Sequence, residues 1–144
     1  MAKLHAAHAV TIDRPVEAVF AFVVDGENGR RWRPGVLDIR HESGEGLGAI
    51  YRQGVPGPMG RRVAADYEIT AFEPGRRLEF RAIAGPVRPR GRYDFEALDG
   101  STRVSFALDA DLGMVQNLLL GSTVAKTMQA EVLNLDRLKK VLEA

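Results

Sequence analysis

The sequence predicts one α+β domain over residues 1–144, in which a sheet of antiparallel strands is covered by a long C-terminal helix. Between residues 36 and 112 apolar residues recur with period two, and short turn signals divide the segment. This pattern is typical of strands joined by hairpins. From residue 114 onward the apolar period becomes 3.6, as in an amphipathic helix. Since the strands have one apolar face and the helix has one apolar stripe, the two are expected to cover each other.

The N-terminal part predicts a strand followed by two short helices. Residues 4–12 are predicted to form the strand, and Pro15 is suited to the first turn of the helix that follows. Four apolar residues of that helix recur at spacings of three and four, namely Val16, Val19, Phe20 and Val23. Residues 28–34 are short and irregular, contain the only tryptophan, and are assigned to the second helix.

Six further strands and one long helix complete the prediction. The strands are residues 36–42, 49–53, 62–72, 78–83, 92–97 and 104–110. In the longest of them, alternation places one set on the apolar side: Val63, Ala65, Tyr67, Ile69 and Ala71. The helical stripe consists of Val124, Met128, Val132, Leu135, Leu138 and Leu142, and Glu131 is assigned to the polar side.

Composition excludes several classes of protein. The chain has 20 basic and 19 acidic residues and a net charge of +1, which argues against a dedicated nucleic-acid binder. It has no cysteine, which fits a reducing cytoplasm and excludes disulfides and cysteine-containing zinc sites. No apolar run approaches the ~18 residues that a membrane span needs. We therefore expect a cytoplasmic protein with no membrane span and no nucleic-acid partner.

Four strings resemble the START-like, or Bet v 1-like (SRPBCC), superfamily and its polyketide cyclase/dehydrase-like family. They are residues 12–20, 28–36, 70–78 and 132–142, and the resemblance extends over nearly the whole chain. It implies a single helix-grip domain, in which a curved seven-stranded antiparallel sheet wraps around the C-terminal helix. Two short helices would lie between strands 1 and 2, and a hydrophobic cavity between sheet and helix. The superfamily includes lipid and hormone carriers, aromatase/cyclases and quinone-binding proteins, so the fold leaves the function open.

The candidate ligand-binding residues are mostly those predicted to face the cavity. A buried tyrosine hydroxyl needs a hydrogen-bond partner, and methionine adapts to irregular shapes, so both residue types suit a binding cavity. The alternative is that these side chains fill a solid core, as they do in most domains. The candidates are Trp32, Tyr51, Tyr67, Phe80, Tyr93, Phe106, Met114, Val124 and Met128.

Three functions are compatible with the sequence. The first is binding of a small hydrophobic or aromatic ligand, such as a lipid or a polyketide-like molecule, in the cavity. The second is a polyketide aromatase/cyclase or dehydratase that uses the same cavity, which requires polar side chains within reach of one point. The third is a protein-interaction accessory module, which requires an exposed apolar patch elsewhere. No catalytic motif is present, so catalytic residues stay unassigned and no cofactor is expected.

Three local patterns have more than one interpretation. His5 and His8 are predicted on opposite faces of one strand, so no metal site is expected. The stripe Arg88, Arg90 and Arg92 is predicted to lie opposite acidic residues as a solvated outer face, with Asp109 opposite Arg90 and Asp111 opposite Arg88. Residues 54–60 are either an ordinary hairpin connection or a lip over the cavity. Residues 118–120 are a lid, a homodimer contact or the buried start of the helix.

Overall fold

The computed structural model describes residues 2–144 and contains one antiparallel sheet. Its order is β1-β8-β7-β6-β5-β3-β2, and the three-residue β4 pairs with β3. All eight strands fall where the sequence predicts strands, and β4 and β5 together occupy the single strand predicted over residues 62–72. The strands are β1 (Ala2–Ile12), β2 (Asp38–Ser43), β3 (Ile50–Pro56), β4 (Arg62–Ala64), β5 (Tyr67–Glu73), β6 (Arg77–Ala82), β7 (Arg90–Leu98) and β8 (Ser101–Leu112).

The helices occupy the predicted places, with one break. Helices α1 (Val16–Val24) and α2 (Gly29–Trp32) lie between β1 and β2, and a single 3-10 turn links them. The predicted long helix is divided into α3 (Met114–Leu133) and α4 (Leu135–Glu143). At Asn134 the backbone amide donates to the Glu131 carbonyl at 3.1 Å, an i to i−3 bond that tightens the turn between the two helices.

The strand predicted over residues 62–72 is interrupted in its middle, and the prediction that Ala71 faces the apolar side is wrong. The strand breaks between β4 and β5, where the Asp66 carboxylate accepts a hydrogen bond from the Gln53 amide at 3.0 Å. A register shift between Ile69 and Ala71 then marks a β-bulge. Because a bulge adds one residue to the strand, the inward side chain beyond it is Phe72, which packs on Phe20 at 5.5 Å between ring centroids.

The connection predicted over residues 54–60 is also shorter than expected. Residues 54–56 belong to β3 and pair with β4, which leaves only residues 57–61 as the loop. Strand pairing extends further than the sequence indicated because β4 supplies a partner for the end of β3. The short loop is closed by a hydrogen bond of 2.6 Å from the Gly57 amide to the Arg61 carbonyl.

The charged outer face agrees with the predicted register at one end and differs at the other. Arg90 lies opposite Asp109 on the β7–β8 ladder, as predicted. Arg88 lies before β7 begins, and its guanidinium donates to the Gly85 carbonyl at 3.2 Å. Asp111 therefore accepts a hydrogen bond from Arg90, at 3.2 Å, and the predicted pairing with Arg88 is wrong.

The sheet grips the C-terminal helices around one hydrophobic core. Helix α3 lies against β1 and β8, and α4 lies against β1 and α2. Sheet, N-terminal helix and C-terminal helices all contribute residues that are fully buried: Ile12, Val19, Val104, Val132, Leu135 and Leu138. Within residues 2–144 no helix has both the length and the hydrophobicity needed to cross a membrane. The α+β helix-grip prediction is confirmed.

Candidate functional site

A row of five aromatic rings crosses the inner face of the sheet. One ring comes from each of β3, β5, β6, β7 and β8, and alternation along each strand turns them all inward. Centroid distances along the row are 5.3, 5.3, 6.2 and 4.2 Å. Spacings in this range are typical of attractive aromatic pairs. The row consists of Tyr51, Tyr67, Phe80, Tyr93 and Phe106.

A small cavity lies between this row and the two N-terminal helices. None of its lining residues belongs to α3 or α4, so the predicted position between the sheet and the C-terminal helix is wrong. The volume of the cavity is about 40 Å³. That is room for two or three water molecules, since one needs ~10–15 Å³, whereas sites for drug-sized ligands measure roughly 300–1,000 Å³. The lining residues with ring or polar groups are Trp32, Arg33, Gln53, Tyr67, Phe80 and Tyr93.

The structure brings only part of the predicted ligand-binding set to the cavity. Four of the nine candidates line it, namely Trp32, Tyr67, Phe80 and Tyr93. Three more are buried in the core without lining it, namely Tyr51, Phe106 and Met128. Val124 is half-buried and packs against the core. Met114 is 80% exposed at the start of α3 and is not among the lining residues.

A buried ion pair at the cavity was missed by the sequence analysis. The Arg33 guanidinium donates from Nε to the Glu131 carboxylate and from Nη1 to the Gln53 side-chain oxygen, the latter at 3.0 Å. The side chains of Arg33 and Glu131 are only 15% and 22% exposed. The assignment of Glu131 to the polar side of the helix is therefore wrong. It follows Met128 by three positions, which places both on one helical face.

The sequence contains a signal for Gln53 and for Arg33, but none for the pairing of Arg33 with Glu131. Gln53 lies two positions after Tyr51 on β3, so alternation alone turns both side chains inward. Arg33 directly follows the tryptophan in one of the strings that carry the family resemblance. Nothing in the sequence pairs Arg33 with Glu131, because 98 positions separate them.

Burial and charge act in opposite directions on Arg33. Burial lowers the pKa of its guanidinium, but the attraction of the Glu131 carboxylate outweighs burial, and the pKa is raised. Arg33 therefore stays charged, and its charge is offset by the carboxylate that it contacts. A buried ion pair of this kind adds little stability by itself, whereas removal of one partner leaves a costly unpaired charge.

The sequence matches a known protein family over nearly its whole length. The family model described as polyketide cyclase/dehydrase and lipid transport matches residues 3–143. The chain belongs to this family. No curated protein matches it.

Solved structures similar to this member of the polyketide cyclase/dehydrase and lipid transport family have the same fold. TTHA0849 from Thermus thermophilus is 23% identical with a TM-score of 0.81, over 96% of this chain and 97% of that one. The Zhui aromatase/cyclase from Streptomyces sp. R1128 is 17% identical with a TM-score of 0.75, over 99% and 94%. A START superfamily protein from Mycobacterium smegmatis is 17% identical with a TM-score of 0.64, over 91% and 98%. The predicted polyketide cyclase/dehydrase-like family is confirmed by the family model, and the predicted fold is confirmed by these structures.

In this family member, two tyrosine hydroxyls face the open space of the cavity. The Tyr51 hydroxyl donates to the Val24 carbonyl at 3.4 Å, but those of Tyr67 and Tyr93 have no hydrogen-bond partner within residues 2–144. Over the same residues, no fully enclosed side-chain oxygen or nitrogen lacks a partner. Both hydroxyls must therefore touch the cavity. Burial raises the pKa of Tyr67 and Tyr93, so both phenols stay protonated at neutral pH and can donate hydrogen bonds.

Proposed function

We propose that the chain binds a small, uncharged hydrophobic molecule with a ring system and a carbonyl or hydroxyl group in the cavity beneath Trp32. The observation that carries this proposal is the pair of tyrosine hydroxyls that have no protein partner and belong to residues lining the cavity. A ligand oxygen that accepts from Tyr67 or Tyr93 would gain a hydrogen bond in a poorly solvated site.

The walls of the cavity support a ligand with an aromatic or conjugated ring. The rings of Trp32 and Phe80 lie on its lining, and Trp32 meets Tyr93 edge-on with 6.5 Å between centroids. A flat ligand would extend this pattern of edge and face contacts. Burial of its apolar surface would contribute about 25 cal/mol per Å² before the cost of ordering is subtracted.

The electrostatics of the cavity favour a ligand without charge. Arg33 is the lining cation, and its charge is balanced by Glu131. An acidic ligand would have to compete with Glu131 for the guanidinium and would leave one carboxylate unpaired in a poorly solvated site. A carbonyl or hydroxyl oxygen needs only the tyrosine donors.

Binding requires the cavity to enlarge. A cavity of roughly 150 Å³ is needed to hold benzene, and the space here is about 40 Å³. Trp32 is the side chain best placed to make room. It lies at the end of the four-residue helix α2, which is too short to be stable alone. A 3-10 turn precedes this helix and an irregular segment follows it. If the Trp32 ring moved outward, the space that it now fills would become part of the cavity.

A second function, a cyclase or dehydratase, is favoured by the polar side of the cavity. Four polar side chains line it, which are Arg33, Gln53, Tyr67 and Tyr93. In loss of water from a hydroxyl-bearing carbon chain, a protonated tyrosine would donate a proton to the leaving hydroxyl. Glu131 would accept the proton from the neighbouring carbon only if it left Arg33, because it contacts this lining residue and does not line the cavity itself. The name of the family and the similarity to an aromatase/cyclase are consistent with this reaction.

Ligand binding can be measured by the fluorescence of Trp32, because it is the only tryptophan and lines the cavity. Titration with 2-naphthol, an uncharged ring with one hydroxyl, should change indole emission saturably. The variants Tyr67→Phe and Tyr93→Phe should each weaken binding by roughly 2- to 10-fold, the value of one hydrogen bond. The control Tyr51→Phe removes a hydroxyl that already has a protein partner, and its affinity should be unchanged.

Native mass spectrometry then separates the two functions. Protein purified from its own host is examined for a retained molecule, which is identified and incubated again with fresh protein. An unchanged mass supports a carrier, and a loss of one water supports a dehydratase. A titration without saturation, or an equal loss of affinity in Tyr51→Phe, would contradict both functions.

A further inference from the structure

The first two turns of α3 expose an apolar stripe that no part of residues 2–144 covers. Met114, Val115, Leu118 and Leu119 are 80%, 70%, 84% and 72% exposed. Positions i, i+1, i+4 and i+5 lie within about 140° of one another around a helix, so these side chains form one face. The exposure rules out the interpretation of residues 118–120 as a buried helix start. A patch of this kind on a small domain marks an interaction site.

Two loops lie at the same end of the sheet as the start of α3. The Gln116 side chain donates to the Pro86 carbonyl at 3.4 Å, which ties α3 to the β6–β7 loop. That loop lies against β4, because a Cβ at Gly85 would meet the Ala64 carbonyl. Beyond β4 the short 57–61 loop carries Met59, which is 97% exposed and has a φ of 60°. We call residues 57–62, 84–88 and 114–120 together the apolar end.

The apolar end contains basic residues and no acidic ones. Its three segments include Arg61, Arg62 and Arg88, and no Asp or Glu. The Arg62 guanidinium is paired with Asp38 by two bonds of 2.8 Å. Arg61 and Arg88 are exposed and form no salt bridge with any carboxylate of residues 2–144. Exposed leucine and methionine beside unpaired arginine match the chemistry of an anionic lipid surface.

We propose that the apolar end docks on the surface of a bilayer that contains anionic lipid. The apolar stripe of α3 and the Met59 side chain would enter the boundary between head groups and acyl chains, and Arg61 and Arg88 would contact lipid phosphates. The helix lies on the membrane and does not span it, in agreement with the absence of a spanning helix in residues 2–144. This docking does not depend on which ligand occupies the cavity.

A second copy of the chain is a poorer occupant of the same surface. A two-fold interface places the same patch on both sides, so the exposed arginines of one copy would face a surface that is equally basic. Like charges brought together in a contact are repulsive. Met59 also projects from a loop outside the helical stripe, whereas a helix-to-helix dimer would use the stripe alone.

Flotation with lipid vesicles tests the proposal. Wild-type protein should float with vesicles of phosphatidylcholine and phosphatidylglycerol, and much less with phosphatidylcholine alone. Leu118→Ser combined with Leu119→Ser should lower the partition coefficient at least about tenfold, because two exposed leucines lose their insertion energy. Arg61→Glu combined with Arg88→Glu should remove the preference for phosphatidylglycerol.

The control is Leu47→Ser. Leu47 is 68% exposed in the turn before β3, whereas the 57–61 loop follows the end of β3, so the two lie at opposite ends of the sheet. Its vesicle binding should equal that of the wild type. Equal loss in Leu47→Ser, or no flotation of the wild type, would overturn the proposal. So would a dimer seen by light scattering that the Leu118/Leu119 double variant abolishes.

Discussion

The first two turns of α3 and the helix α4 belong to the same C-terminal segment but have opposite environments. Leu118 and Leu119 are 84% and 72% exposed, whereas Leu135 and Leu138 are completely buried. The residue type is identical, so the position over the sheet makes the difference. Helix α4 lies across β1 and against α2, whereas every residue from 113 to 120 at the start of α3 is exposed. The buried leucines hold the fold together, and the exposed ones are available to a partner outside it.

Truncation of one leucine in each part gives the sharpest form of this comparison. Leu135→Ala should destabilise the protein by roughly 2–5 kcal/mol, because it removes a fully buried side chain and leaves a cavity. Leu118→Ala should change the free energy of unfolding by less than about 0.5 kcal/mol. Urea denaturation measures both. Similar losses in the two variants would mean that the start of α3 is packed in solution.

Two ion pairs, one poorly exposed at the cavity and one at the surface, allow a second comparison of environments. Glu131→Gln should cost roughly 3 kcal/mol, the lower end for a buried pair, since Arg33 and Glu131 keep 15% and 22% exposure. The matched control is Glu42→Gln, which breaks the surface pair with Arg52, where exposure is 34% and 55%. That change should cost less than about 0.5 kcal/mol. Equal effects in urea denaturation would contradict a desolvated Arg33.

Two glycines test how closely the N-terminal helices pack on the aromatic row. A Cβ at Gly26 would lie 2.8 Å from Tyr51 ring carbons and closer still to the Tyr67 hydroxyl, so Gly26→Ala should destabilise by roughly 1–3 kcal/mol. At Gly35 a Cβ would meet nothing within 4 Å, and Gly35→Ala should be neutral or slightly stabilising. Thermal unfolding compares them. A neutral Gly26→Ala would show that this end of the cavity is loosely packed.

The buried tyrosines predict a loss of stability in alkali. Burial raises the pKa of Tyr93 in the folded protein, whereas the unfolded chain titrates near 10. Between these values the unfolded chain has lost a proton that the folded one retains, so stability falls as pH rises above about 10. Tyr93→Phe should reduce that slope by up to about 1.4 kcal/mol per pH unit. Urea denaturation at pH 9 to 11.5 measures it, and identical slopes would contradict a buried phenol.

Much of the fold was predictable because it depends on short-range periodicity. Alternation within each strand placed Tyr51, Tyr67, Phe80, Tyr93 and Phe106 on one face, and the structure assembles them into a row. The helical stripe likewise identified the core positions of α4. Such patterns repeat within one element, so they can be recognised without knowledge of its neighbours.

The features that were missed depend on partners distant in sequence. The bulge after Ile69 exists only relative to β6, and it moved Phe72 inward in place of Ala71. The pair of Arg33 and Glu131 joins two helices that no local pattern connects. The volume of the cavity is a further example, because it is set by how side chains from seven elements fill one space.

The central claim is that a ring-containing ligand enters the space beneath Trp32, and one spectrum tests it directly. The single indole N–H of Trp32 gives one resolved signal in a ¹⁵N–¹H correlation spectrum. Titration with 2-naphthol should shift this signal, together with the Gly26 and Gly29 amides on the cavity wall, and saturate at one ligand per chain. Shifts confined to residues 114–120, or shifts that never saturate, would show that the ligand stays outside and would contradict the claim.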